Sequence, residues 1–403
     1  MPWLCHQLGS REHYSIPRAL HSLGQLSLLQ TDCWVPPRLG RLIRATRQPS
    51  LADRFHSDLA DARVRSFTAG RLTFDLQATC RNLTDWDCIM RRNQWFQKRS
   101  LPALRKELTE APKKNQVVFA YSYAACSIFK EAKKQGALCV LGQMDPGPEE
   151  IHHVRECCGK VLESSPPPSH YWSKWREEVT LADRILANSE WSRELLITGG
   201  VPPEKIEVIP IAYETSTRSR EKVARSYPPI FDASREMKVL YLGQIIPRKG
   251  INELFEAILN LEDIPIEFHI AGPIGMEIPA KVRAHSKTYF YGAVDRDTAA
   301  RLYQNSDLFL LPTHSDGFAI TQLEAAARNL PIISSKFCGR VVQDGKNGIV
   351  LPDVSCQSIK DALIRCVASP RLLAKMSAQC LDWNEFSLKN LGERLSRIGA
   401  SMT

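Results

Sequence analysis

No stretch of this chain approaches the roughly 18 consecutive apolar residues that a bilayer crossing needs. The start, Met1-Pro2-Trp3-Leu4-Cys5-His6-Gln7, has neither the basic region nor the long apolar region of a secretory leader. Twelve cysteines include no Cys-x-x-Cys pair and no Cys/His zinc spacing, and Cys157 and Cys158 are adjacent, where they do not easily bridge each other. We read reduced thiols in a cytoplasmic protein, which leaves the Asn82-Leu83-Thr84 sequon without meaning. No Gly-x-Gly-x-x-Gly follows a predicted strand, which ranks a dinucleotide-dependent oxidoreductase low. No constellation argues for a serine or cysteine nucleophile or for a metal. What remains, 403 residues at 43% hydrophobic and 24% charged, is ordinary globular material for two to three domains.

The net charge of +9 is concentrated. Val35 to Asn115 holds 17 Lys/Arg against 8 Asp/Glu, so this segment carries the whole excess. Trp86, Trp95 and Phe96 stand there beside Arg91, Arg92, Lys98, Arg99, Arg105 and Lys106. That mixture suits an anionic membrane surface, a polyanionic substrate or nucleic acid, and it also suits a solvated helical face.

Strand-like apolar runs alternate with helix-like stretches, which implies parallel sheets covered on both faces. Trp3–Leu8, Leu26–Thr31, Val117–Tyr121, Ala137–Gly142, Ile185–Ser189 and Ile206–Ile209 read as strands, with helices at Arg11–Leu23 and Ala124–Lys134 and a helical, basic region from about Arg38 to Lys114. After a polar linker, Glu214–Ser234, strands restart at Lys238–Leu242, Glu267–Ala271, Thr288–Tyr291, Leu308–Leu311 and Ile332–Ser334, with helices at Glu253–Leu261, Arg296–Asn305, Gln322–Arg328 and Ser358–Ala368. The natural reading is two doubly wound, Rossmann-like α/β domains over 1–212 and 213–383, with residues 384–403 crossing back to the first. Ligands of such sheets bind beyond the carboxyl ends of the strands, here in the cleft between domains.

The most specific stretch is Pro312-Thr313-His314-Ser315-Asp316-Gly317-Phe318-Ala319-Ile320-Thr321-Gln322-Leu323-Glu324. A strand ends, a polar loop follows, and a helix is expected to begin near Ala319. Gly317 permits close backbone approach, and the amides of Gly317, Phe318, Ala319 and Ile320 with the helix dipole suit a diphosphate. Asp316 can accept from sugar hydroxyls, and Glu324, in the second turn, can reach a ribose. An acidic first turn that merely complements the dipole is the plainer reading. Gly243-Gln244-Ile245-Ile246-Pro247-Arg248-Lys249-Gly250 places adjacent cations at the end of the second domain's first strand, where they suit phosphate charge. Two features read as decoys. Asp85-Trp86-Asp87 spells the Asp-x-Asp of metal-dependent transferases without a strong strand before it, and His13 is expected as a core or capping histidine on the first helix.

Together these stretches resemble the family 4 glycosyltransferases of the GT-B fold, retaining enzymes with a Glu-x7-Glu motif. The likeness covers the second domain through Gly243–Gly250, Ile270-Ala271-Gly272-Pro273, Tyr291-Gly292-Ala293-Val294, Asp307–Pro312 and Asp344-Gly345-Lys346-Asn347-Gly348. The first domain fits through Gly9-Ser10-Arg11-Glu12, Val117–Tyr121 and Ala187-Asn188-Ser189-Glu190-Trp191-Ser192. The resemblance implies that Asp316 holds the donor sugar, Glu324 the nucleotide ribose and Lys249 the diphosphate, with Arg248 assisting. It further implies that Gly9 faces the donor phosphates and that Val294 lies in the base-binding segment. Asp stands for Glu at 316, Gln244 where many relatives carry an arginine, and Tyr121 where many place a histidine.

The expected activity is transfer of a sugar from a nucleotide-sugar donor (UDP or GDP type) to a glycan or lipid-linked acceptor, with retention and without a metal or other cofactor. Expected partners are the donor, the acceptor and an anionic membrane surface on the cytoplasmic side, not nucleic acid. A nucleotide-sugar-binding protein without turnover and a sugar-nucleotide epimerase stay open on sequence alone.

Overall fold

The computed structural model describes residues 1–37, 40, 51, 54–83, 85–110, 116–159, 166–214, 225–379 and 381–402. Its first half runs β1 (Trp3–Gln7), α1 (Ser15–Ser22), β2 (Leu26–Thr31), β3 (Val64–Ser66), α2 (Thr68–Cys80), α3 (Asp85–Glu110), β4 (Val117–Tyr121), α4 (Cys126–Lys134), β5 (Leu138–Gly142), α5 (Glu149–Cys158), α6 (Ser169–Leu181), β6 (Arg184–Ala187), α7 (Glu190–Thr198) and β7 (Ile206–Val208). The strands pair in parallel in the order β3-β2-β1-β4-β5-β6-β7. Central strands such as β4 are buried along their whole length, as helices on both faces require.

The second half runs β8 (Met237–Leu242), α8 (Ile251–Leu259), β9 (Ile266–Ala271), α9 (Ala280–Arg283), β10 (Thr288–Gly292), α10 (Arg296–Asn305), β11 (Leu308–Leu311), α11 (Thr321–Ala326), β12 (Ile332–Ser335), β13 (Gly348–Leu351), α12 (Cys356–Ala368), α13 (Pro370–Ser377) and α14 (Leu388–Ser401). The order β10-β9-β8-β11-β12-β13 reverses direction between β8 and β11, as the first sheet does between β1 and β4. Such a reversal parts the loops on either side of it and opens a crevice. The Gly243–Gly250 and Pro312–Ile320 loops leave β8 and β11, the two strands that flank the reversal. Helix α14 returns to the first sheet: Leu391, Leu395 and Ile398 pack with Trp3, Cys5 and Tyr14, and Arg394 donates to the Val208 carbonyl at 3.1 Å.

Several expectations give way. The first helix begins at Ser15, because Glu12, His13 and Tyr14 are all left-handed (φ 49°, 50° and 61°), a turn that cannot belong to a right-handed helix. His13 is therefore on an exposed turn, 3.5 Å from Arg296 of the second domain, and not on a helix. Ala319 is also left-handed (φ 66°), so α11 starts at Thr321, has six residues, and carries Glu324 in its first turn, with correspondingly little dipole. The basic region contains the edge strand β3 as well as α2 and α3, while residues 38–39, 41–50, 52–53, 84 and 111–114 of it lie outside the described residues, as do residues 215–224 of the linker. Phe96 is fully buried, and Trp95 packs on Phe67 and Phe74, so these rings face inward. Asp85 and Asp87 occupy the first turn of α3, where carboxylates favour the helix N-terminus.

Candidate functional site

The loops after β8 and β11 are knitted by backbone. The His314 amide donates to the Arg248 carbonyl at 2.9 Å, and Gly250, at φ 69°, sits where a Cβ would lie 1.7 Å from the Pro312 carbonyl oxygen. No other residue type fits there. This contact places Lys249 against the second loop, where its ammonium pairs with Asp316; both side chains are largely buried. Each ion thereby offsets the other's desolvation. Arg248 is committed elsewhere: Nη1 donates to the Ser315 carbonyl at 2.6 Å and lies 3.5 Å from Glu150.

Past Asp316, the amides of Gly317, Phe318, Ala319 and Ile320 donate no hydrogen bond among the described residues. Gly317 and Phe318 are buried, where N–H groups are otherwise nearly always paired, and with the amides of Ala319 and Ile320 they leave four consecutive donors near Lys249 that an anion can take up. The Phe318 ring belongs to the core against Phe386, so only its backbone is available to a ligand. Ile320 is exposed and Ala319 half-buried.

Glu324 is not part of the Lys249–Asp316 pair. Its Oε2 accepts from the buried Tyr303 hydroxyl at 2.9 Å, and burial pushes its carboxyl above the ordinary range, with Arg328 and Arg296 opposing. Arg296 also reaches His13, which brings the first domain's left-handed turn towards this acid. In that domain Gly9 (φ 88°) donates its amide to the buried Asp32 at 2.8 Å, and a Cβ there would meet the Arg54 guanidinium at 2.9 Å. Asp32 also binds Arg71 at 2.7 Å. Val294 lies beyond β10, the outermost strand and two places from β8.

Of the positions departing from the resembled pattern, Gln244 is exposed and lends its carbonyl to the Tyr241 hydroxyl at 2.6 Å. Tyr121 is buried with its hydroxyl unpartnered among the described residues.

A polar seam that the sequence did not announce joins the two mouths. Ser315 Oγ donates to Glu150 at 2.7 Å and accepts from the Trp191 indole at 2.9 Å; Ser192 Oγ donates to the Gly317 carbonyl at 3.3 Å; the His153 ring meets the His314 carbonyl at 2.9 Å. A Cβ on Gly317 would sit 2.6 Å from the Met144 carbonyl oxygen, so glycine is what lets the domains close here. Burial pushes the Glu150 carboxyl up. Ser189, the N-cap of α7, accepts from the Ser192 amide at 3.1 Å and so aims Trp191 and Ser192 across the seam. A cavity of about 860 Å³ lies beyond, lined by Trp191, Phe337 and the loop after β12, but neither Lys249 nor the four amides line it.

Comparison with known proteins agrees with this architecture. Residues 229–381 match the family model for glycosyl transferases group 1, and residues 50–217 match that for glycosyltransferase family 4. The chain is 26% identical over 233 residues to a D-inositol 3-phosphate glycosyltransferase of Rhodococcus jostii (strain RHA1), 53% of this chain and 51% of the relative. A 41.2 kDa protein of the Klebsiella pneumoniae cps region is 21% identical over 189 residues, 44% of this chain and 52% of that protein. The chain thus spans about half the length of these relatives. Among solved structures, Anabaena Alr3699/HepE in complex with UDP aligns over 100% of both chains at 15% identity (TM-score 0.60). Sucrose-phosphate synthase from Thermosynechococcus elongatus aligns over 99% of both at 13% identity (TM-score 0.63). With one model matching each half and the GT-B architecture running through both, the chain belongs to the group 1, family 4 glycosyltransferases.

Proposed function

We propose that the protein transfers a sugar from a nucleotide-sugar donor to a glycan or lipid-linked acceptor. The observation that carries this reading is the run of four free amides at 317–320 beside Lys249, at the reversal point of the second sheet. In transfer, the bond from the sugar's anomeric carbon to the diphosphate breaks as one to an acceptor hydroxyl oxygen forms, and the acceptor proton leaves with the diphosphate. Charge grows on the departing phosphate oxygens, and the amides of 317–320 with the Lys249 ammonium stabilise it. A diphosphate entering this cradle exchanges places with Asp316 at the Lys249 ammonium, which frees the carboxylate for the donor's hydroxyls. Glu324 takes the ribose, Gly9 with Arg54 behind it faces the phosphates, and Val294 lies towards the base. Arg248 supports Ser315 from behind. The seam excludes water, which protects the donor from hydrolysis. Retention of configuration and independence of metal follow the family pattern.

The relatives named as inositol-phosphate glycosyltransferases and the neighbour solved with UDP support a nucleotide-sugar donor, UDP first among those to test. Release of UDP or GDP from a nucleotide-sugar panel, with and without added glycans, tests the reading. Turnover lost in Lys249→Ala supports it; a wild-type chain that neither turns over any donor nor gains thermal stability from either diphosphate overturns it.

Peripheral membrane docking is a second proposal, favoured by α2. That helix buries none of its residues and exposes Leu72 and Leu76 one turn apart, while Arg81, Arg91, Lys98 and Arg99 are exposed without ion-pair partners among the described residues. No described helix is long and apolar enough to cross a membrane. Flotation with anionic but not neutral liposomes, lost on Leu72→Ser/Leu76→Ser, is expected; equal failure on both lipids overturns it.

A further inference from the structure

The Lys249–Asp316 pair stands between two loops, and a residue that locks those loops together has so far no part in the transfer chemistry. His314 is 4% exposed and is held on three sides. Its amide donates to the Arg248 carbonyl of the loop after β8 at 2.9 Å. Its ring Nε2 donates to Glu253 Oε1 of α8 at 3.0 Å. Its carbonyl accepts from His153 Nε2 of α5, in the first domain, at 2.9 Å. A carbonyl and a carboxylate only accept, so both imidazoles carry a proton on Nε2.

Glu253 lies in the first turn of α8, where the helix N-terminus by itself favours an acid. Yet Oε2 of the same carboxylate is buried with no partner among the described residues, and Oε1 is engaged by His314. A half-satisfied buried carboxylate is costly, and this one stands directly behind the loop that carries Asp316. His153 is fixed as well, because its ring packs on Trp191 at 4.7 Å and on Phe337 at 5.1 Å. Cys157 Sγ, 3.6 Å from the same nitrogen, is a weak acceptor beside the carbonyl. Asp316 follows two residues after His314, and Lys249 follows Arg248 directly. The bond between the His314 and Arg248 backbones therefore governs how carboxylate meets ammonium.

We infer that His314 is a positioning residue for the transfer reaction. It carries the docking of α5 to the Lys249–Asp316 pair, with Glu253 as its brace and His153 as the first domain's contact. The inference rests on the transfer reading and deepens it by naming residues outside the donor contacts that set their geometry.

Hydrogen exchange followed by mass spectrometry on the full chain tests it, over peptides spanning 244–250 and 312–318. His153→Phe keeps a ring against Trp191 and Phe337 and removes the N–H. It should speed exchange in 312–318 about tenfold while β8 and β11 exchange as in the wild type, the order of one lost hydrogen bond. Glu253→Leu should loosen the same peptide. His314→Phe should do so too, and His314→Gln, whose amide is able to donate to Glu253, should restore most of the protection. With a donor that the wild type turns over, kcat should fall about tenfold in His153→Phe and donor KM should stay within twofold, because His153 touches no donor group. An unchanged loop in His153→Phe, a loosened loop with unchanged kcat, or faster exchange throughout the second domain overturns the assignment. Turnover by the wild type is read separately. A wild type that turns over no donor overturns the transfer reading, and exchange alone then decides whether His153 and Glu253 hold the loop.

Discussion

The mouths of the two sheets share a strand order about their reversal points and are built from different materials. The mouth of the second is backbone: Gly250 and Gly317 stand where a Cβ would strike a carbonyl oxygen, and the anion cradle is a row of amides. The mouth of the first is side chains, with aromatic rings carried on α3 and α6 and a loop shaped by one buried carboxylate, Glu178. A backbone site tolerates very few residue types at each position, so it leaves a motif. A side-chain wall can be assembled from rings on any elements that the fold brings together, so it leaves none.

The sharpest break of this comparison is at Gly250. Gly250→Ala combines a left-handed φ with a collision against Pro312, and we expect a loss of about 3 kcal/mol or more. The second domain's unfolding midpoint should fall by about 10 °C in calorimetry. Gly24, at φ 66° but with open space around it, is the control, and Gly24→Ala should cost only about 1 kcal/mol. Equal losses would show that backbone conformation alone, and not the close approach, makes the loop.

Lys249→Ala comes next. It removes the ammonium from the cradle, so affinity for UDP or GDP should fall by one to two decades, about 1.5–3 kcal/mol, while the matching nucleoside loses little. Calorimetric titration of both ligands decides; equal losses would mean that Lys249 acts through folding.

Glu178 probes the other mouth. Burial pushes its carboxyl up to about 7, against three amide donors from Tyr123, Ala125 and Cys126. The folded state therefore keeps a proton that the unfolded chain releases from pH 4.5 upwards. The group's stabilising contribution is complete below pH 4.5 and is lost as pH rises to about 7. Glu178→Gln cannot titrate, so urea unfolding should show the wild type losing about 2 kcal/mol relative to the variant between pH 5 and pH 8. A pH-independent difference would return the carboxyl to the ordinary range.

The smallest effect is expected at Glu324. Glu324→Gln still offers an oxygen to the Tyr303 hydroxyl, so the fold survives while donor affinity drops about tenfold, the low end for a bond to a charged group. Unchanged affinity in a donor titration would remove Glu324 from the site.

The alternation of apolar runs already contained both sheets, because strands buried on two faces leave few substitutions open: Val117–Tyr121 and Leu308–Leu311 read as strands from their residues alone. The sequence also held the Asp316–Glu324 spacing and the Gly243–Gly250 loop, where sterics restrict each position. It was silent on β3, whose Val64-Arg65-Ser66 holds one apolar residue and lies unburied at the sheet edge, on β13, and on α5 and α6, whose apolar faces are weakly marked. It misread Glu12–Tyr14 as helix, since nothing in those side chains announces a left-handed turn, and it turned Trp95 and Phe96 outward because adjacent arginines suggest a surface. Only the tertiary structure brought Lys249 to Asp316, Glu150 to Ser315 and Trp86 to Tyr171. These pairs join residues 67, 165 and 85 positions apart, the first through two loops of one sheet, the second across the two domains and the third between two helices of the first domain, and no local pattern encodes such meetings.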